Sequence, residues 1–157
     1  MDTNGFDDKL LKHFLNPQNI GVIINNDAYA RVQNPVNGYT TDLYLKIQDN
    51  NITDVRFKTY GCTVTIAAGS AMTLILKNLD LDEFLTGKEP ISYLEKQLMK
   101  EIGEVPEKNW HCVPTIIKAV LLALESYFQR SKNKKYVPQI EKWIQQINNE
   151  VEKKLHG

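Results

Sequence analysis

Cysteine is scarce in this sequence, which contains only Cys62 and Cys112 among 157 residues. Two cysteines cannot build the disulfide framework that stabilises many small secreted domains. In a reducing cytoplasm they are expected as free thiols, available for metal, sulfur or catalytic chemistry. The alternative is that each thiol is a small buried hydrophobic group, a common role for free cysteine.

An excess of charge of one sign is also missing, because 19 Lys and Arg residues balance 19 Asp and Glu residues. Without a net positive field, nucleic acid is not expected as the main partner. We find no apolar run that approaches the roughly 20 residues of a membrane span, and no basic start with an apolar stretch that would indicate a signal peptide. The sequence therefore predicts a cytoplasmic protein that does not bind a membrane.

The usual sequence signatures of enzymes are absent as well. The chain has no Gly-rich phosphate-binding loop. It also has no convincing combination of Ser, His and Asp, and no convincing pair of carboxylates for acid and base catalysis. We therefore expect a protein that is not an enzyme.

The hydrophobic pattern predicts one α+β domain, since the length and a hydrophobic fraction of 42% suit a single core. Period-two alternation predicts three antiparallel strands, with the turn "QDNN" joining the second to the third. Helical periodicity predicts helices packed against this sheet. The predicted strands lie near 28–33, 41–48 and 55–59, and the predicted helices near 6–15, 63–78, 79–87, 89–103 and 114–130.

Residues 131–157 are predicted to follow this domain of residues 1–130 as a polar hinge and an extra C-terminal helix. That helix carries a narrow apolar stripe on an otherwise charged surface. We favour a helix that folds back on its own domain; the alternative is a seam for a dimer or another partner. The stripe consists of Ile140, Trp143, Ile144, Ile147, Val151 and Leu155.

Both cysteines are predicted at the N-terminal end of a helix, where the macrodipole and free amides favour a thiolate. His111 lies directly before Cys112, so two thiolates and one imidazole could bind zinc or iron. The spacing is not that of a zinc finger, so the site depends on the fold bringing residue 62 close to residues 111 and 112. His13 is expected to pack locally, and His156 to be solvated.

Three segments of this sequence resemble motifs of the IscU/NifU-N-type iron-sulfur cluster assembly scaffolds. They are "FDDKLLKHFLNPQNIG", "DVRFKTYGC" and the "HC" before a long helix, and the resemblance covers about residues 6–130. It implies an α+β fold with the ligand residues gathered at one end. It also implies that a cysteine desulfurase supplies sulfur, that the protein binds iron or zinc, and that a labile [2Fe-2S] cluster is passed to recipient or carrier proteins.

The resemblance assigns roles to three residues of this chain. Cys62 matches the second family cysteine, His111 the ligand histidine, and Cys112 the last cysteine, which is the persulfide acceptor. The first family cysteine and its aspartate are replaced, because the corresponding turn "NPVNGYTTD" carries Asn37 and Tyr39. A fourth ligand would have to come from Asp42, from a small thiol or from a second copy of the chain in a homodimer.

A further segment departs from the family pattern. Bacterial members carry Leu-Pro-Pro-Val-Lys before the histidine, whereas this chain reads "EVPEKNW", so chaperone binding in that form is not expected. Three functions stay open at this point. They are a cluster assembly scaffold, a zinc-bound sulfur relay that uses the same three residues, and a degenerate paralogue that acts as an interaction module.

Overall fold

The computed structural model describes residues 5–87 and 89–157 and confirms the predicted α+β fold. Residues 1–4 of the predicted domain lie outside the described residues. Six helices and three strands follow one another along the described chain. They are α1 Asp8–Leu15, β1 Ala28–Gln33, β2 Thr40–Gln48, β3 Asn51–Thr59, α2 Thr63–Leu76, α3 Leu81–Thr86, α4 Pro90–Ile102, α5 Cys112–Arg130 and α6 Val137–His156.

The three strands form an antiparallel sheet in the order β1-β2-β3. Alternate side chains of each strand are buried, as the period-two pattern predicts. The turn from β2 to β3 places Asp49 and Asn50 at φ values of 52° and 58°. Asx residues tolerate this left-handed region, and two such residues in succession give the turn that suits a tight hairpin. The third strand begins at Asn51, earlier than predicted, because pairing with β2 starts directly after the turn.

Helix α2 packs against the sheet at Gly69, where a side chain has no room. A Cβ atom at this position would lie 2.4 Å from the ring of Phe57, which is fully buried on β3. Because the ring is enclosed, it cannot move aside cheaply. The glycine therefore sets how closely α2 approaches the sheet, and with it the position of Cys62 at the start of α2.

We expect Gly69→Ala to destabilise the protein by about 1–3 kcal/mol, the usual cost of overpacking a core. Denaturant unfolding followed by circular dichroism would measure the change. Leu74→Ala is a suitable control, since Leu74 lies on the exposed side of the same helix. Equal stability of the two variants would contradict the close contact at Gly69.

Helix α5 is the central helix of the core and begins at Cys112, two residues before the predicted start at Pro114. It packs against β1, β2, α2, α4 and α6. Among the described residues, the stretch Glu107–Arg130 is long and apolar enough to cross a bilayer. The expectation that no stretch approaches that length was therefore wrong; most of this stretch is buried, and a helix in the core of a folded domain meets the same criterion.

Helix α6 folds back onto α5, which is the arrangement that we favoured over a partner seam. Its buried residues are Ile140, Trp143 and Ile147. Near its end, the Lys154 ammonium lies 4.9 Å from the centre of the Trp110 ring. Helix α6 therefore reaches the chain just before His111, where a single 3-10 turn, Glu107–Asn109, leads into α5.

Candidate functional site

The two thiols lie at the N-terminal ends of neighbouring helices, as the sequence predicts. Cys62 is the N-cap residue of α2, and Cys112 is the first residue of α5. The hydroxyl of Thr65, one turn into α2, connects them. Its Oγ1 atom lies 3.4 Å from the Cys62 sulfur and 3.5 Å from the Cys112 sulfur. The fold therefore brings together two cysteines that are separated by 50 positions in the sequence.

The two thiols differ in exposure. Cys62 is half-buried, whereas Cys112 is 3% exposed. The sequence analysis left burial of each thiol open as an alternative, and Cys112 is buried. The reason is that α5 begins at Cys112 itself, so that this residue belongs to the core helix. It also borders Asn34, at the end of β1.

The pair holds one thiolate, and the thiolate is on Cys62. Hydrogen bonding from the Cys112 thiol, with further help from Thr65 and from backbone amides at the start of α2, lowers the pKa of Cys62 to about 4. The same pairing, together with burial, raises the pKa of Cys112. At neutral pH, Cys62 is therefore the activated sulfur, and Cys112 is the protonated one that donates to it.

His111 is also buried, with 5% of its surface exposed, and Asn34 fixes its ring. The Asn34 amide oxygen accepts from the backbone N–H of Val36 at 2.9 Å, so that its Nδ2 atom faces His111. Nδ2 donates to the His111 Nδ1 atom at 2.8 Å. The neutral ring therefore carries its proton on Nε2. The Nδ1 atom also lies 3.7 Å from the Cys112 sulfur.

Asn34 is a site residue that the sequence analysis did not single out. A signal for it exists, because Ala28, Ala30 and Val32 are the buried positions of β1, and residue 34 continues the same alternation. An amide at the next inward position, directly before a proline, indicates a buried polar group that needs a partner. The partner, His111, lies 77 positions away and could not be identified from local patterns.

Asp42 is not brought to this site. It lies on the outer face of the sheet, where Arg31 binds both of its carboxylate oxygens, at 2.8 Å and 3.0 Å. The Tyr29 hydroxyl donates to it as well, at 2.6 Å. The preceding residue of β2, Thr41, points to the opposite face and lines the Cys112 site. The structure therefore gives no support to Asp42 as a fourth ligand.

Asn37, which the resemblance places at the first family cysteine, is exposed and bonded within its own loop. Its side-chain oxygen accepts from the backbone N–H of Tyr39 at 3.0 Å. Gly38 follows with a φ of 75°, which suits glycine. The loop nevertheless belongs to the site, because Asn34 at its start contacts His111, and Tyr39 at its end lines the space beside Cys112.

A cavity of about 10 Å³ lies beside the Cys112 sulfur, and most of the residues that line it are polar. A space of this size holds about one water molecule. Within the residues it describes, the structure shows no group of three or more His, Cys, Asp and Glu side chains placed to hold a metal ion. Because the cavity holds about one water molecule, a metal or cluster could bind beside Cys112 only if the site opened. The lining residues are Asn34, Tyr39, Thr41, Thr65, Cys112, Thr115 and Ile116.

The other two histidines lie elsewhere. His13 joins α1 to α2 and α4, since its Nδ1 atom lies 2.8 Å from the Ser70 hydroxyl and its Nε2 atom 3.1 Å from a Glu101 oxygen. This agrees with the predicted packing role, although its partners come from distant helices. His156 is exposed near the end of α6 and lies 2.9 Å from Glu152.

Comparison with known proteins gives a consistent result. The family described as "NifU-like N terminal domain" matches residues 5–134. "Iron-sulfur cluster assembly scaffold protein IscU 1" of Archaeoglobus fulgidus is 32% identical over 126 residues, which is 80% of this chain and 78% of the relative. "Iron-sulfur cluster assembly scaffold protein IscU" of Escherichia coli is 32% identical over 133 residues, which is 82% of this chain and 98% of the relative.

A solved structure supports the fold. The crystal structure of a NifU-like protein (N-terminal) from Brucella abortus superimposes with a TM-score of 0.66, at 22% identity, over 80% of this chain and 95% of the other. The relatives are named as scaffolds and not as enzymes. The match to the family extends over α1–α5, including Cys62, His111 and Cys112, and leaves out α6. This chain belongs to the NifU-like N-terminal domain family.

Proposed function

We propose that this protein is an iron-sulfur cluster assembly scaffold that accepts sulfur from a cysteine desulfurase and delivers a cluster to recipient or carrier proteins. The observation that carries the proposal is that Thr65 links Cys62 to Cys112 at one end of the sheet and that His111 lies beside Cys112. These three residues occupy the positions of family ligands. The proposal also draws on the named relatives, which are about one third identical to this chain.

The residues present suit iron in part. Two cysteines and one imidazole are the soft and borderline donors that iron in clusters and zinc both accept. Binding through the His111 Nδ1 atom would require this atom to leave the Asn34 amide, and Cys112 would have to lose its proton. Binding of iron or a cluster would therefore require the loop 34–39 to move away from the start of α5. A [2Fe-2S] cluster needs four ligands, and a small thiol or a second copy of the chain would supply the fourth.

Cys112 is the acceptor of sulfur in this proposal, by its match to the last family cysteine. The small cavity beside Cys112 supports the assignment. It holds about one water molecule, and one added sulfur atom is similar in size. Because Cys112 is 3% exposed, the same loop opening is needed before another protein can reach it. This chemistry requires free thiols, which a reducing cytoplasm maintains. The cytoplasmic location stays a prediction from the sequence.

The test is anaerobic incubation with ferrous iron, cysteine and a cysteine desulfurase, followed by visible absorption spectroscopy. We expect the absorption of a cluster in the unaltered protein, and its loss in Cys62→Ala and in Cys112→Ala. The exposed His156→Ala serves as a matched control and should keep the absorption. A colourless protein, or equal colour in all variants, would refute the proposal, and uptake of zinc alone would support a relay instead.

A further inference from the structure

The proposed function leaves one chemical requirement open. Sulfur delivered as a persulfide is sulfane sulfur, whereas the sulfur of a cluster is sulfide, so two electrons must reach it. The described residues place two thiols together but no third one, because Asn37 stands at the position of the first family cysteine. A pair of thiols can supply these two electrons by closing a disulfide.

The geometry of the pair suits this reaction. The Thr65 Oγ1 atom lies 3.4 Å from the Cys62 sulfur and 3.5 Å from the Cys112 sulfur. The two sulfurs are therefore at most 6.9 Å apart. Each cysteine stands at the first turn of its helix, and α2 packs directly against α5. Cys112 lines the one-atom cavity, and Cys62 is half-buried.

We infer that Cys62 and Cys112 form a resolving pair, in which a persulfide on one cysteine is cleaved by the thiolate of the other, with release of sulfide. The inference rests on the proposed function, which puts the persulfide on Cys112. It goes beyond that function because it makes the scaffold the source of the electrons for the first sulfide. Thr65 is a positioning residue in this reaction, since it touches both sulfurs.

The step balances as follows for a persulfide on Cys112. The Cys62 thiolate attacks the inner sulfur, the one attached to Cβ of Cys112, and a Cys62–Cys112 disulfide forms. The bond between the inner and the outer sulfur breaks, and the outer sulfur leaves as hydrosulfide with the electron pair. The outer sulfur is reduced by two electrons, and the two cysteine sulfurs are oxidised to the disulfide. A dithiol reductant of the thioredoxin type then restores the two thiols by exchange.

Attack on the outer sulfur is the competing reaction, and it has different products. It would move the sulfane sulfur from Cys112 to Cys62 without any release of sulfide or any change in oxidation state. The two reactions can therefore be separated by their products. If Cys62 carries the persulfide instead, attack by Cys112 on its inner sulfur gives the same disulfide and the same hydrosulfide.

The experiment loads the reduced protein with inorganic polysulfide without oxygen, removes the excess, and follows sulfide release together with the intact mass. Polysulfide replaces the desulfurase, so failure of the desulfurase partnership would not affect this test. We expect the unaltered protein to release one sulfide per chain and to lose the mass of two hydrogens relative to the dithiol form. A non-reducing peptide map should then show Cys62 joined to Cys112.

Variants test the assignment further. In Cys62→Ser and in Cys112→Ser, sulfur added to the remaining thiol should stay as a stable persulfide and release no sulfide. Thr65→Ala should slow release in the two-thiol protein roughly threefold to tenfold, the effect of one lost hydrogen bond. The His156→Ala protein should release sulfide at the unaltered rate. A stable persulfide in the unaltered protein, or sulfide release without a Cys62–Cys112 disulfide, would overturn the inference. If Cys62→Ser does not fold, the peptide map of the unaltered protein decides.

Discussion

Iodoacetamide should alkylate Cys62 at least about a hundredfold faster than Cys112 in the folded protein at neutral pH. Cys62 is half-buried and carries the thiolate of the pair, whereas Cys112 is protonated and nearly inaccessible. Peptide mass spectrometry after a brief reaction would give the two rates separately. Equal rates, or faster reaction of Cys112, would contradict the described pairing.

The pH dependence provides a second check on the same pair. Because the pKa of Cys62 is lowered to about 4, its thiolate is fully formed above pH 6, and the alkylation rate should be flat between about pH 6 and pH 8. An ordinary cysteine would react roughly tenfold faster for each pH unit in this range, since its pKa is about 8.5. In denaturant, both cysteines should show this ordinary behaviour. A steep rise for Cys62 in the folded protein would show that its pKa is not lowered.

Asn37→Cys should strongly increase the stability of a bound cluster. Under air or chelator, its colour should fade at least roughly tenfold more slowly than that of the unaltered protein. The substitution adds a thiolate on the loop that contacts His111 through Asn34 and lines the Cys112 cavity through Tyr39. A complete set of four protein ligands would then be available. The decay of visible absorption after reconstitution is the measurement.

Asn37→Ser is the matched control, because it changes the same exposed side chain without adding a ligand for iron. It should leave cluster decay as it is in the unaltered protein. Since the Asn37 side chain bonds to the backbone N–H of Tyr39, both variants lose the same local contact. Equal decay of the Cys and Ser variants would mean that residue 37 does not reach the bound cluster.

The sheet and most helices follow from short-range patterns. Alternation in β1 and β2 fixes which side chains face the core, and the Asp49-Asn50 turn fixes the hairpin. Gly69 allows α2 to pack closely against Phe57 because glycine has no side chain. These features depend on residues that are close in the sequence or on the size of a single side chain, and both can be read directly from the sequence.

The site was predicted less completely. The placement of Cys62 follows from where the periodicity changes from two to 3.6, and that of Cys112 from the proline that opens the next helix. The hydrogen bond from Asn34 to His111 and the bridge through Thr65 depend on contacts between distant parts of the chain. The outward direction of Asp42 was not predicted, because the sequence alone does not show which face of β2 carries the site.

The relation of α6 to the domain also needed the structure. Its stripe of apolar residues is compatible with the fold-back that we favoured and also with a partner, because an amphipathic helix only requires some apolar surface to cover it. The buried Ile140 and Ile147 show that the surface is that of this chain's own domain. This arrangement argues against α6 as a freely exposed interaction module.

The central claim is that the Cys62 and Cys112 site assembles iron and sulfide together. The most direct measurement is the content of iron and of acid-labile sulfide in protein reconstituted with a desulfurase and isolated without oxygen. The account predicts iron and sulfide in equal amounts, lost together in Cys112→Ala. Iron or zinc without labile sulfide, or no metal at all, would contradict it.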